Sequence, residues 1–259
     1  MNALDVLLLL GAGLGAGTIN AVAGGGSLVT FPTLLAVGLA PIQASVTNAV
    51  AVFPGYVASV YGSRTDLADL AESRGRRPLL SLIPTVVAGT ALGCALLLHS
   101  GDRAFEVIVP FLVLGATAVL AFQDRLRQAV AHPHDMGPTR RTVTMHLAAG
   151  LGAVYGGYFN AALGVMLVAA LGLAFDDPLP RVSALKNAIS AVVGLGTLVA
   201  FGVFGPVNWA AAAIVTPASL LGGYLGARFA RRLPSRVLRI VIVAFGTTVG
   251  VVLFVRAHR

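Results

Sequence analysis

The stretch LDVLLLLGAGLGAGTINAVAGGGSLVTFPTLLAVG, residues 4–38, decides how this chain folds. Asp5 is its only charge. A helix that crosses a bilayer needs about 20 apolar residues. This run is much longer, and Gly24, Gly25 and Gly26 interrupt it. Glycine clusters break helices. The expectation is a hairpin: two apolar arms joined by a turn at the glycines.

The rest of the chain sets the environment of that hairpin. Hydrophobic residues make up 57% of the 259 residues and charged residues 11%, against about 25% charged in a soluble domain. Mean hydropathy is +0.87. Such a chain cannot cover a soluble surface, so the expected class is an all-α integral membrane protein with the lipid bilayer as its partner. The net charge of +8 does not point to nucleic acid. The basic residues sit in short stretches between apolar runs, the pattern of cytoplasmic loops. The single cysteine, Cys94, allows no disulfide or cysteine-based metal site within the chain. His132 and His134 flank Pro133 in a polar stretch and are too few to hold a metal.

Beyond the first run, apolar segments cover about 44–62, 79–98 and 104–122. A second long run, 143–175, follows a polar stretch, and then come 183–204, 209–227 and 237–255. Each half is thus one long interrupted run followed by three helix-length segments. Residues repeat in the same order. Asn20-Ala21 is echoed by Asn160-Ala161, and Asn48 lies seven residues after Pro41 as Asn187 does after Pro180. Pro84, Gly89 and Gly93 match Pro217, Gly222 and Gly226 in spacing. Shared order of this kind marks a duplicated unit. The expected division is a first transmembrane repeat over 1–122, a cytoplasmic linker over 123–142 and a second repeat over 143–259.

Arginines orient the halves. With both long runs crossing once, the 17 arginines divide 10 to 7 between the two sides. With both folded as hairpins, they divide 14 to 3. Basic loops prefer the cytoplasm, so the hairpin arrangement is preferred. A hairpin plus three crossings is odd, so the second half runs in the opposite sense. The expected fold is two inverted repeats, each a broken-helix hairpin plus three transmembrane helices.

Irregular backbone at membrane depth survives only when buried in protein or lining a wet cavity. Two turns entering from opposite faces would meet near the midplane and present backbone N–H groups and helix N-termini, a layout suited to an anion. The candidate binding residues are Asn20, Gly24, Gly25, Gly26 and Ser27 in the first turn and Asn160 in the second. Asn48 and Asn187 join them from matching helix positions, where they either orient a ligand or link helices. Lys186, the only lysine, starts an apolar helix. It is either a functional cation or a side chain snorkelling to the surface. Gly13, Gly15, Gly17, Gly89, Gly93, Gly222 and Gly226 read as helix-packing positions. Tyr155 and Tyr158 suit packing and binding equally.

The run Gly13-Leu-Gly-Ala-Gly17, Gly24-Gly-Gly-Ser27, Phe31-Pro32, Gly38, Ala44 and Thr47-Asn48 resembles the TauE/SafE family of sulfite exporters. The run through Asn187 is similar to that family's second copy. The resemblance spans nearly the whole chain. It implies a multi-pass transporter in a prokaryotic cytoplasmic (inner) membrane, with a small sulfur-containing or carboxylated anion as substrate. A homodimer is a further expectation. No cofactor is expected, since the chain has no Gly-x4-Gly-Lys-Ser/Thr loop for a nucleotide. Nor is an enzyme, because no HExxH, Ser–His pair or Asp dyad is visible and the acidic residues lie in loops or near segment ends. The remaining alternatives are proton-coupled uptake or exchange of a carboxylate or sulfonate, and a scaffold subunit that moves nothing.

This topology is checked with single cysteines placed in a Cys94→Ala background. Cysteines at Arg74, Arg140 and Arg232 should label from the cytoplasm, and those at Arg103 and Gly205 from outside. Labelling of positions 140 and 232 from opposite faces would contradict it.

Overall fold

The computed structural model describes residues 2–22, 25–122, 125, 137–172, 177–229 and 235–257. Gly24, Arg232, His132 and His134 lie outside the described residues. Every regular element described is a helix. In the first half these are α1 (Ala3–Val22), α2 (Ser27–Ala36), α3 (Pro41–Gly62), α4 (Arg64–Arg74), α5 (Arg76–Leu80), α6 (Leu82–His99) and α7 (Asp102–Ala121). In the second half they are α8 (Pro138–Tyr158), α9 (Leu163–Gly172), α10 (Leu179–Phe204), α11 (Trp209–Phe229) and α12 (Ser235–Ala257).

The long runs break where the sequence implies. Residues 4–38 form α1 and α2 around the glycines, and the second run forms α8 and α9 around Phe159–Ala162. Among the described residues, Ala3–Asn20, Arg76–His99, Asp102–Ala121 and Pro180–Phe204 are long and apolar enough to cross a membrane. At 1.5 Å per residue α1 reaches about 30 Å, and the ten-residue α2 only about 15 Å. The arms of the hairpin are therefore unequal. Leu7, Leu151, Val203 and Phe204 are two-thirds or more exposed, as lipid-facing side chains are.

One region departs from expectation. The basic stretch after residue 62 is not simple loop but holds α4 and α5. Leu70 is the only buried residue of α4, and it packs with Leu82, Val86, Leu185 and Ile189. A single apolar contact creates no amphipathic periodicity, so the helix was not legible.

The packing is the same under exchange of the halves. Helix α1 lies along α11, and α8 along α6. Helix α3 packs on α11 as α10 packs on α6, α2 touches α12 as α9 touches α7, and α3 meets α10 as α7 meets α12. Helices α3 and α10 run antiparallel, and so do α7 and α12. Asn187 near the start of α10 contacts Ser63 after the end of α3, while Asn208 after the end of α10 contacts Thr47 near the start of α3. Likewise Phe111 of α7 meets Phe254 of α12, and Thr117 meets Gly246.

Small residues make these crossings. A Cβ on Gly17 would lie 2.0 Å from the Ser219 carbonyl oxygen, and one on Gly222 2.0 Å from that of Leu14. At the matching α6–α8 crossing, a Cβ on Gly93 would lie 2.2 Å from the Val154 oxygen. Close backbone approach of this kind holds membrane helices together without a hydrophobic driving force.

Gly17→Ala and Gly93→Ala should each force their helices apart and destabilise the protein by about 1–3 kcal/mol. Gly15, expected at a packing position, instead faces open space with nothing within 4 Å of its Cβ position, so Gly15→Ala should cost far less. Thermal melting of the detergent-purified variants checks this; equal melting of all three would contradict the crossing geometry.

Candidate functional site

The first turn is organised by Asn20 at the end of α1. Its carbonyl oxygen Oδ1 accepts from the Gly25 N–H at 3.1 Å and from the Gly26 N–H at 2.8 Å. These bonds are buried, and they replace the partners that a continuous helix would supply. Gly25 has φ +108°, a conformation that suits glycine. Gly26 is required for a different reason: a Cβ there would lie 2.2 Å from the Ala16 carbonyl oxygen. The start of α2 is thus pressed directly against α1. The N–H groups of Gly25 and Gly26 are engaged inside the protein.

The second turn reaches a similar shape with other residues. Asn160 has φ +62° and Ala162 φ +57°. Asparagine tolerates this region, whereas alanine is strained there. Tyr155 stabilises the turn, its hydroxyl donating to the Ala161 carbonyl at 2.6 Å. Its carbonyl in turn accepts from the N–H groups of Phe159 and Asn160. Tyr155 therefore supports the turn. Tyr158 points elsewhere, its hydroxyl 3.3 Å from that of Ser100.

The two turns touch. A Cβ on Gly25 would be 3.8 Å from the Cα and Cβ of Ala162. Phe31 of α2 packs edge-on against Phe159, with ring centroids 5.1 Å apart. Phe105 and Tyr155 close around the same Phe159 ring. The turns sit where two apolar clusters meet. Phe159, Ala161 and Ala162 belong to one cluster, Leu163 and Val193 to the other.

Polar groups gather at this junction. The Tyr56 hydroxyl of α3 donates to Asn160 Oδ1 at 3.1 Å. The Ser27 hydroxyl at the start of α2 lies beside the same phenol. One turn further along α2, Thr30 donates to Asn48 Oδ1. Ser27 and Thr30 share one face of α2, and Asn48 and Tyr56, eight residues apart, share one face of α3. Both asparagine carboxamides thus have their oxygens occupied by hydroxyls. Asn48 Nδ2, Asn160 Nδ2 and Ser27 Oγ have no hydrogen-bond partner. All three residues are at most 1% exposed. Orphaned buried polar atoms are rare and mark strain or function.

Two candidate residues lie elsewhere. Asn187 donates to Ser63 Oγ at 3.0 Å and to the Ser59 carbonyl at 3.3 Å, joining the ends of α3 and α10. The structure does not bring it to Asn48. Half-buried Lys186 is beside it. Gly194 of α10 abuts the Tyr56 ring, so Lys186 is about 12 Å along the helix from that level. Nearby, Asp177 pairs with Arg74 at 2.7 Å and Arg181 at 3.9 Å, tying α4 to the start of α10. Sequence reasoning did not single out Tyr56 or Thr30. Their signal was the spacing to Asn48 and Ser27 on shared helix faces. Among the described residues no cluster of His, Cys, Asp or Glu could hold a metal ion.

Comparison with known proteins agrees with this architecture. A family model described as "Sulfite exporter TauE/SafE" matches residues 9–253. The probable membrane transporter protein YfcA of Escherichia coli (strain K12) is 26% identical over 250 residues, covering 94% of this chain and 87% of the relative. A probable membrane transporter protein of Haemophilus influenzae is 28% identical over 259 residues, covering 96% of this chain and 95% of the relative. No solved structure matches the chain.

Asn20→Ala should orphan two buried N–H groups, at about 1–3 kcal/mol each. Asn187→Ala removes a half-buried link between helix ends and should cost less. Melting temperatures of the two purified variants compare them directly. An Asn20→Ala protein as stable as the parent would mean that the first turn is not held by this side chain.

Proposed function

The chain belongs to the sulfite exporter TauE/SafE family, and from that membership we propose that it exports a small sulfur-containing or organic anion, sulfite-like, across the prokaryotic cytoplasmic membrane. That it is a multi-pass membrane transporter follows from the family and its apolar helices. The anion and the direction are our reading. The observation that carries it is a pair of buried carboxamides, Asn160 in the second turn and Asn48 on α3, which packs against α2. Asn48 and Asn160 each offer an unpartnered NH2 group in the protein interior, and N–H donors bind anions.

We read the two halves as inverted repeats that rock about this junction. Support comes from the antiparallel course of corresponding helices and from their exchanged contacts. Alternating access then needs only that the halves tilt around a fixed site. Lys186 has the place of a recruiting cation. It stands near the start of α10, on the side of the basic stretches, and not at the turns.

The membrane potential supplies the drive. None of the fully buried polar residues described is a carboxylate, so the usual intramembrane proton relay has no acidic member. The interior of the cell is negative. Moving one negative charge outward gains about 2.3 kcal/mol per 100 mV. The mechanism is therefore electrogenic uniport of the anion, with proton coupling as its rival.

Reconstituted vesicles with an imposed potassium diffusion potential and equal pH on both sides decide between them. Anion flux should follow the potential, and Lys186→Met should raise the half-saturating concentration several-fold without abolishing flux. Flux that ignores the potential and follows a pH gradient would overturn the mechanism.

A further inference from the structure

We infer that the site at the crossed turns selects monoanions over dianions of the same shape, and that Tyr56 positions the donor that makes this choice. The inference rests on the transport reading above and specifies the substrate class. Its basis is what the junction contains and what it lacks. The groups left over are the two NH2 donors, Asn160 Nδ2 and Asn48 Nδ2. The acceptor ends of both carboxamides are consumed by Tyr56 and Thr30. None of the side chains that meet at the junction, Ser27, Thr30, Asn48, Tyr56 and Asn160, carries a formal charge. Lys186 is two helical turns away along α10 from the level of Tyr56.

A site of neutral donors responds differently to one charge and to two. The cost of stripping water from an ion rises with the square of its charge. The attraction to fixed dipoles rises only in proportion to the charge. Dipoles can therefore offset the desolvation of a monoanion and fall short for a dianion, which needs a buried counter-ion. A neutral ligand is excluded for the opposite reason, since it gains too little from donors aimed at negative oxygens. The chemistry that fits is a compact head with several oxygens sharing a single negative charge, such as a sulfonate or a hydrogen-bearing oxyanion of sulfur.

Tyr56 acts through Asn160. By donating to Oδ1 it turns the NH2 end of the carboxamide away from itself. Without the phenol the carboxamide can rotate and present its oxygen, which repels an anion. Asn160 and Ser27 come from the two different turns, so the arrangement requires both hairpins.

The test uses the full-length detergent-purified protein and three probes with similar heads: methanesulfonate, a permanent monoanion; sulfate, a dianion at neutral pH; and dimethyl sulfone, which is neutral. Binding is read from thermal shift and calorimetry at constant ionic strength. Methanesulfonate should bind at least tenfold more tightly than either other probe. Asn160→Asp should abolish that binding, with Asn48→Asp as the substitute should the first variant fail to fold. Tyr56→Phe should lower the preference for methanesulfonate over dimethyl sulfone, a ratio that lost packing alone would not change. Sulfate binding as tightly as methanesulfonate, no response to any probe, or unaltered binding in the folded Asp variants would each overturn the inference. Potential-driven anion flux that persisted in those cases would leave the transport reading standing.

Discussion

A helix broken inside a membrane leaves backbone groups that lipid cannot satisfy, and that constraint governs this structure. The chain meets it twice with different residues. In the first turn the Asn20 carboxamide takes up the N–H groups of Gly25 and Gly26. In the second, the Tyr155 hydroxyl and carbonyl hold Phe159, Asn160 and Ala161. Neither turn could face lipid, so each must be buried by the other half. The long arms α1 and α8 lie along α11 and α6 of the opposite half, and the two turns touch. Breaking the helices thus forces the halves to interlock.

Function follows from the same constraint. Side chains buried near the two turns are left with polar atoms that no protein group meets. Asn48, Asn160 and Ser27 keep unpartnered atoms there. Tyr56 and Thr30 determine which end of each carboxamide is left over. The result is a donor-rich, uncharged junction between two apolar clusters.

Much of this was legible in the sequence, for physical reasons that differ by residue. Gly24-Gly25-Gly26 within a 4–38 apolar run could only be a break. Its partner was legible through the duplicated order of Asn20-Ala21 and Asn160-Ala161, although the second turn uses Asn160 and Ala162 at positive φ where glycine would be expected. The packing glycines were recognisable because small residues recur at helix spacing on α1, α6 and α11. Tyr56 and Thr30 were not, because a hydroxyl residue in an apolar helix looks the same whether it packs or positions another group. Asn187 matched Asn48 by spacing, yet it and its neighbour Lys186 lie at the start of α10 beside the end of α3. Helices α3 and α10 run antiparallel, so positions that match along them lie at opposite ends of the pair.

The central claim is that the two turns touch and that transport depends on their junction. A cysteine pair at Gly25 and Ala162, in a Cys94→Ala background, tests it most directly. The 3.8 Å separation of the Cβ positions lies within the range that a disulfide spans. Mild oxidation should cross-link the two positions and arrest anion flux in vesicles, and reduction should restore it. A folded double variant that does not cross-link, or one that transports at full rate when cross-linked, would contradict the account.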